Sequence, residues 1–256
     1  MLTDATITYD TSYTREEERV TTIYLIRHGE TAWNAEGRWQ GHVDVPLNDT
    51  GRAQARQLAA WLRERGVRFD AIYSSDLHRA WETAAILAQA QGLEPRPVPA
   101  LREIDLGRWS GKTRDEVMAS DREILDRIAS GEDLPRGGAE RMADLFQRVI
   151  GATEALVAEH PRETIALVSH GGPIRALLLY ASRDRDGPAP RRGHIGNTAV
   201  SILDCGPHGW ALRLINDVSH LEGGAQAPDL MAPQPPGDEE VATGSDEVTE
   251  REQRAQ

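Results

Sequence analysis

The sequence predicts an α/β fold, a three-layer α/β/α sandwich around a central, largely parallel sheet. Two observations lead to it. Short apolar runs rich in β-branched residues alternate with segments of helical periodicity from Thr21 to about Ala181. Two of these runs also end in a glycine turn, at Gly29 and Gly171. Because strands that alternate with helices form βαβ units, their strands are expected to be parallel and covered by helices on both faces.

The elements follow from local signals. Apolar β-branched runs predict buried strands, apolar residues at helical spacing predict helices, and side chains such as Asp49 or Thr50 can cap a helix start. The prolines at 95, 97 and 99 restrict their segment to a sheet edge. In chain order we expect a strand over 23–26, a loop over 32–49, a helix over 51–65, a strand over 69–73, a helix over 77–91 and an edge strand near 98.

The second half of the chain continues the alternation of strands and helices and then ends in a predicted hairpin. Glycine-type breaks indicate a loop over 101–112, and Gly206-Pro207-His208-Gly209 between two apolar runs is typical of a hairpin. The expected elements are helices near 113–129, a helix over 139–159, a strand over 164–169, a helix from 171 to about 181, and hairpin strands over 198–203 and 210–215.

Charge divides the chain into three parts. The net charge is −12, of which −7 lies in residues 222–256 and −3 in residues 1–20, so that −2 remains for residues 21–221. Residues 222–256 are also rich in Pro, Gly, Ala and Gln and poor in large apolar side chains, so burial cannot offset the entropy of ordering them. We expect 1–20 to be a flexible extension, 21–221 to form the functional domain, and 222–256 to be an acidic disordered tail.

Composition also excludes several classes of protein. Cys205 is the only cysteine, which rules out an internal disulfide and a cysteine-based zinc site. No apolar run approaches the ~20 residues of a membrane span, and the acidic N-terminus lacks the features of a secretory signal. A negative net charge and the absence of a basic stripe in the sequence argue against nucleic-acid binding. We therefore expect a cytoplasmic protein with no membrane or nucleic-acid partner.

The most informative motif follows the first strand. Residues 23–31 read Ile-Tyr-Leu-Ile-Arg-His-Gly-Glu-Thr, so Arg27 and His28 should project from the C-terminal end of a buried strand, which is the usual ligand site of an open α/β sheet. An imidazole there can attack an electrophile or move a proton, and a guanidinium suits phosphate or carboxylate. The pair therefore indicates an anionic substrate.

Three further segments can reach the same edge. His170 follows the strand over 164–169 and precedes a helix whose N-terminus, beginning at Gly171, would favour a phosphate. Arg79 lies in the first turn of the helix after the second strand. The loop over 101–111 carries Glu103 and Asp105, either of which is a candidate proton donor.

Taken together, these segments resemble the histidine phosphatase superfamily, which includes the cofactor-dependent phosphoglycerate mutases. The resemblance rests on Arg-His-Gly-Glu-Thr at 27–31, Ser-Asp-Leu-His-Arg-Ala at 75–80, the loop 101–111 and Ser-His-Gly-Gly at 169–172, in the family's order. It extends over about residues 22–215. The loop containing Thr31-Ala32-Trp33-Asn34 and residues 38–47 resembles the family's phosphate-side loop.

The resemblance implies a role for each candidate. His28 would attack phosphorus to give a phosphohistidine, and Glu103 would be the general acid, with Asp105 as the alternative. The groups expected to hold the phosphoryl oxygens are Arg27, Arg79 and His170, and the expected substrate contacts are Asn34, Gln40, Gly41 and Gly171. Two nearby arginines should lower the pKa of His28 and keep its ring neutral. The remaining histidines are expected to be structural or on the surface.

Departures from the family pattern favour hydrolysis over mutase chemistry. Where mutases usually have His-Tyr-Gly after the acidic residue, this chain has Asp105-Leu106-Gly107, and residues 112–138 carry only scattered basic side chains. We therefore predict a phosphatase for small phosphorylated metabolites that needs neither metal nor cofactor. The alternatives are a cofactor-dependent phosphoglycerate mutase and a non-catalytic phospholigand-binding protein. The substrate and the oligomeric state, including the homodimer common among relatives, stay open.

Overall fold

The computed structural model of the chain describes residues 20–183 and 195–221. Most of the predicted N-terminal extension, the whole of the predicted acidic tail and His194 lie outside the described residues. Within the described part, strands and helices alternate up to residue 182, as predicted, and a hairpin follows. The described helices include none that is long and apolar enough to cross a membrane.

Six strands form one mixed sheet in the order β3-β2-β4-β1-β5-β6. They are β1 (Thr21–Arg27), β2 (Ala71–Ser74), β3 (Pro95–Pro97), β4 (Thr164–Ser169), β5 (Val200–Gly206) and β6 (Gly209–Asp217). The pairs β1–β4, β4–β2 and β2–β3 are parallel, whereas β5 runs antiparallel to β1 and pairs with β6 as a hairpin. The predicted three-layer fold with a largely parallel sheet is confirmed.

Helices cover both faces of this sheet. They are α1 (Ala32–Ala35), α2 (Asp49–Glu64), α3 (His78–Gln91), α4 (Arg114–Ala129), α5 (Met142–Glu159) and α6 (Gly171–Ser182). Buried apolar residues of α2 and α3 join one core, and those of α4, α5 and α6 join the other. Strand β1 contributes to both cores, because successive side chains of a strand point to opposite faces of the sheet. Ile23 and Leu25 pack in the core with α4, α5 and α6, and Tyr24 and Ile26 pack in the core with α2 and α3.

Several element boundaries differ from the predictions for local reasons. Helix α2 begins at Asp49 because the side chain of Asn48 accepts from the N–H of Gly51. Helix α5 begins at Met142 rather than at 139, since residues 136–138 form a 3₁₀ turn with positive φ angles at two glycines. The edge strand is formed by Pro95–Pro97, just before the predicted position, and α1 is a short helix inside the predicted loop.

Close contact between two glycines fixes the turn after β1 against the start of α2. A Cβ atom on Gly51 would lie 2.1 Å from the carbonyl oxygen of Glu30, and one on Gly29 would lie 2.5 Å from the carbonyl oxygen of Gly51. Both distances are far below van der Waals contact with backbone atoms that cannot rotate away. The segment that carries His28 therefore depends on glycine at both positions.

Replacing Gly51 by alanine is expected to destabilise the protein by about 1–3 kcal/mol or more, because the added methyl group forces the backbone of this turn to move. Urea denaturation followed by circular dichroism measures the change. Gly151→Ala in α5 is the matched control, since a Cβ added there would meet no atom within 4 Å beyond its chain neighbours and the nearby backbone of its own helix. That change should stabilise by about 0.5–1 kcal/mol through helix propensity. Equal stabilities for the two variants would contradict the steric argument.

Candidate active site

The C-terminal ends of β1 and β4 bring the two predicted histidines together. These strands pair in parallel with Arg27 opposite Ser169, so His28 and His170 follow at the same level of the sheet. Their ring centroids are 5.1 Å apart. The side chains are almost completely buried, with 2% and 0% of their residue surfaces exposed. The two histidine side chains therefore lie beneath the protein surface, where they are shielded from bulk water.

The tautomer of His28 follows from one hydrogen bond. Its Nδ1 lies 2.7 Å from the carbonyl oxygen of Gly29. A carbonyl can only accept, so Nδ1 carries the proton and Nε2 carries the lone pair. Burial lowers the pKa of His28 well below 6.5, and the charges of Arg79 and Arg27 lower it further. The predicted direction is confirmed, although burial is a larger cause than the arginines. The ring is thus neutral, with a lone pair on Nε2 of the kind that can attack an electrophile or accept a proton.

A distant segment holds the backbone of His28. The carbonyl oxygen of His28 accepts from the side-chain amide of Asn197 at 3.1 Å and from the N–H of Thr198 at 3.3 Å. Nη1 of Arg27 donates to the carbonyl of Ile195 in the same segment. Thr198 has a positive φ of 55°, which is rare for a β-branched residue. Sequence reasoning missed Asn197, which carries no local motif.

Arg79 reaches the site from the first turn of α3, as predicted, and it is fully buried. Its Nη1 and Nη2 donate to the carbonyl oxygens of Val43 and Gly41, both at 2.8 Å. Its Nε lies 3.2 Å from Nδ1 of His170. Burial lowers the pKa of Arg79 to about 10, so the side chain stays positively charged near neutral pH. Three fixed contacts leave one orientation for the guanidinium.

His170 is neutral and holds the opposite tautomer. Its Nδ1 accepts from Arg79, so Nε2 carries the proton and donates to Oγ of Ser75 at 2.8 Å. Burial and the charge of Arg79 lower its pKa well below 6.5. Both ring nitrogens therefore have protein partners, and a phosphoryl oxygen would have to replace Ser75 as the acceptor. Ser75 was not predicted, although it follows β2 at the same sheet edge.

Glu103 lies against the N-terminus of α6, the helix that follows His170. Its carboxylate accepts from the N–H of Gly172 at 3.1 and 3.2 Å and from that of Ile104 at 2.9 Å. A Cβ on Gly172 would lie 2.2 Å from Oε1, so only glycine permits this approach. Asp105, the alternative proton donor, instead accepts from the N–H of Gly107, and its side chain is 42% exposed. The geometry favours Glu103.

The predicted substrate-binding residues occupy the loop beside these groups. Asn34 is buried, and its Oδ1 accepts from the N–H and the hydroxyl of Thr31 in a capping box. Gln40 is also buried, and within the described residues its Oε1 has no hydrogen-bond partner. Gly41 orients Arg79 through its carbonyl, and Gly171 opens α6. Their contact with a substrate stays a prediction.

The assembled groups suit a phosphoryl substrate. One neutral imidazole with a lone pair on Nε2, two buried guanidinium groups and one carboxyl group are of the types that can supply a nucleophile, cations and a proton carrier. In-line phosphoryl transfer needs these three functions. Among residues 20–183 and 195–221, no three His, Cys, Asp or Glu side chains are grouped so that they could hold a metal ion.

Comparison with known proteins gives a family match and similar sequences. The model of the histidine phosphatase superfamily (branch 1) matches residues 23–218. The chain is 39% identical to phosphoglycerate mutase-like protein 4 of Arabidopsis thaliana, over 78% of this chain and 86% of that protein. It is 36% identical to the metal-independent phosphoserine phosphatase of the same plant, over 80% and 85% of the two chains.

A solved structure of a phosphatase has the same fold. The phosphoserine phosphatase of Entamoeba histolytica, solved as a mutant in complex with phosphoserine, superposes with a TM-score of 0.68 at 29% identity. The match covers 78% of this chain and 99% of that one. The described fold is therefore the fold of that phosphatase over nearly its whole length.

Proposed function

The chain belongs to the histidine phosphatase superfamily, and on that basis we propose that it hydrolyses small phosphomonoesters through a phosphohistidine on His28. The observation that carries the proposal is the hydrogen bond from Nδ1 of His28 to the Gly29 carbonyl, which leaves Nε2 unprotonated in a buried, cationic site. A neutral imidazole held in that tautomer is ready to attack phosphorus without losing a proton first.

The first step transfers the phosphoryl group to the enzyme. The lone pair of His28 Nε2 forms the N–P bond while the ester P–O bond breaks in line. The departing oxygen takes the proton of the Glu103 carboxyl, so an alcohol leaves and a carboxylate remains. Arg27 and Arg79 stabilise the charge on the equatorial oxygens. Their burial supports this role, because electrostatic interactions are stronger where water is excluded.

The second step returns the phosphoryl group to water. The Glu103 carboxylate accepts a proton from a water molecule as its oxygen attacks phosphorus, and the N–P bond breaks. The electron pair returns to Nε2, inorganic phosphate leaves, and Glu103 is again protonated. Neither step requires a metal ion or an external cofactor, since the protein supplies both the cations and the proton.

Phosphatase chemistry is better supported than mutase chemistry. Phosphatases occur among the similar sequences and among the similar structures. A mutase must also hold a second phosphate, and two arginines between residues 112 and 138 are occupied elsewhere: Arg127 pairs with Glu132 and Arg136 pairs with Asp133. These pairs leave less positive charge for a second phosphate group.

A substrate panel tests the function. Purified full-length protein is expected to release inorganic phosphate from one or more of phosphoserine, phosphoglycerates and phosphosugars, because structures similar to this one bind phosphoserine or 3-phosphoglycerate. Conversion of 3- to 2-phosphoglycerate is measured in parallel, with and without 2,3-bisphosphoglycerate. Mutase turnover above phosphate release would identify a mutase instead. Binding without either reaction would identify a phospholigand-binding protein.

The low pKa of His28 predicts a specific pH dependence. The ring should stay neutral and protonated on Nδ1 as the pH falls below 6.5, the usual midpoint of a histidine. Long-range proton–nitrogen NMR spectra of protein labelled in its imidazole nitrogens report both protonation and tautomer, and the signal is assigned by its loss in His28→Asn. A His28 midpoint at or above 6.5, or a proton on Nε2, would contradict the nucleophile assignment.

A further inference from the structure

The proposed general acid lies on a loop with no regular secondary structure. Residues 103–106 belong to no helix or strand and lie between two short 3₁₀ turns, Pro99–Leu101 and Gly107–Trp109. The carboxylate of Glu103 is nevertheless held within hydrogen-bonding distance of Gly172 at the start of α6. Something other than a backbone ladder must therefore fix this loop.

Arg148, on α5, binds the backbone of this loop at three places. Its Nη1 donates to the carbonyl oxygens of Ala100 and Arg102, both at 2.7 Å. Its Nη2 donates to the carbonyl oxygen of Glu103 itself at 2.8 Å. The same oxygen lies 2.7 Å from Nε2 of His42, so both of its lone pairs are used. The guanidinium thus fixes the chain on the N-terminal side of Glu103.

Glu140 binds both Arg148 and the loop backbone on the C-terminal side of Glu103. Its two carboxylate oxygens accept from Nε and Nη2 of Arg148, at 2.6 and 2.9 Å. Its Oε2 also accepts from the N–H of Asp105 at 2.9 Å, and its own N–H donates to the carbonyl of Asp105. The Arg148 and Glu140 side chains are only 23% and 14% exposed. One ion pair therefore holds the backbone on both sides of Glu103.

We propose that Arg148 and Glu140 are positioning residues that set the distance between the Glu103 carboxyl and the leaving oxygen of the substrate. The inference rests on the proposed function, because it requires Glu103 to donate a proton. Neither residue touches the reacting atoms in this arrangement; both act through the loop. Proton transfer depends on heavy-atom distances of about 2.6–3.2 Å, so a loop displaced by about 1 Å would lose much of the contribution of the acid.

Leaving-group dependence separates this role from a general loss of structure. A poor leaving group, such as the alkoxide of the best alkyl phosphate found in the panel, needs a proton from Glu103. The 2,4-dinitrophenolate of 2,4-dinitrophenyl phosphate leaves without one. The second step also uses Glu103 and is the same for both esters, so the comparison uses kcat/KM, which reports only the first step. Arg148→Met is expected to lower kcat/KM for the alkyl ester by about 10- to 100-fold and to change kcat/KM for the dinitrophenyl ester by less than about 3-fold.

A double variant tests whether the effect passes through Glu103. If Arg148 acts only by placing that carboxyl, then Glu103→Gln with Arg148→Met should be no slower on the alkyl ester than Glu103→Gln alone. Arg148→Lys keeps the charge but cannot reach all five acceptors, so an intermediate loss is expected. If Arg148→Met does not fold, the same comparisons use Arg148→Lys and Glu140→Gln, with thermal unfolding recorded for each.

The matched control is Arg127→Met. Arg127 makes an ion pair of the same form with Glu132, through Nε and Nη2, on an exposed surface of α4. That variant should keep both activities. Equal losses of kcat/KM on the two esters, or losses that multiply in the double variant, would overturn the positioning role while the phosphatase stands. Failure of the wild-type protein to cleave either ester would instead remove the proposed function and this inference with it.

Discussion

Replacing His28 by asparagine is expected to lower phosphatase turnover by about 10⁴-fold or more and to abolish the covalent intermediate. Asparagine can keep a donor near the position of Nδ1, where His28 now bonds to the Gly29 carbonyl at 2.7 Å, but it has no counterpart of Nε2. The turn should therefore survive while the nucleophile is lost. Effects of this size are typical of an attacking group, whereas a phosphate ligand alone contributes less.

The intermediate gives a direct measurement. Wild-type protein mixed with substrate and quenched in alkali, where phosphohistidine persists, should gain the mass of one phosphoryl group on the peptide that contains His28. His28→Asn should show no such gain, and His208→Asn, which changes an exposed histidine in the turn between β5 and β6, should behave as wild type. A phosphorylated peptide elsewhere in the chain would assign the nucleophile to another residue.

The residues that meet at the sheet edge could be predicted, because their positions follow from local sequence signals. Apolar β-branched runs identify β1 and β4, and parallel pairing places the residues after them side by side. The observed register of Arg27 with Ser169 therefore brings His28 beside His170, as their sequence motifs imply. Arg79 follows for the same reason, since the strand-to-helix connection after β2 opens at the same edge.

The supporting contacts could not be predicted from the sequence, because they join segments far apart in the chain. Asn197 bonds to the carbonyl of a residue 169 positions earlier, and Arg148 bonds to carbonyl oxygens 45 to 48 positions earlier. Such side-chain-to-backbone bonds have no periodicity and require no particular neighbour in sequence. Ser75 is an intermediate case: its place after a strand could be predicted, but its partner could not.

The starts of helices also differ in whether they depend on neighbouring residues or on contacts distant in the chain. Asn48 caps α2 in place of the predicted Asp49 or Thr50, so the local signal for a helix start lies one or two residues from the observed cap. The start of α5 is different, because the carboxylate of Asp133 accepts from the N–H groups of Met142 and Ala143, which lie nine and ten residues further along the chain. Apolar periodicity extends the predicted helix back to 139, but the turn before Met142 and this remote cap decide where it begins.

The Glu103 carboxyl group and the Arg79 guanidinium are thus held by the protein before any substrate arrives. Glu103 is fixed by the N-terminus of α6, and Arg79 by two carbonyls of the preceding loop. Preorganised charge needs no rearrangement when the transition state forms, and for that reason it lowers the barrier more than mobile charge does. After His28, we expect the largest effect at Arg79.

Changing Arg79 to lysine is expected to lower kcat by about 10²- to 10³-fold, although the positive charge is kept. Arg79 donates in three directions, to Val43, Gly41 and His170. A single ammonium cannot reach these diverging acceptors together. His170 would then lose its Nδ1 donor, and the cation would no longer face the phosphoryl oxygens in a fixed direction.

Steady-state kinetics on the best panel substrate, with thermal unfolding of each variant, separates catalysis from folding. Arg52→Lys is the matched control, because the Arg52 side chain donates to Glu82 and Asp49 on the surface of α2 and α3, and neither of these is a site residue. It should retain wild-type kcat. If Arg79→Lys keeps kcat within about 3-fold of wild type, orientation of the guanidinium contributes little, and charge alone would account for the role of Arg79.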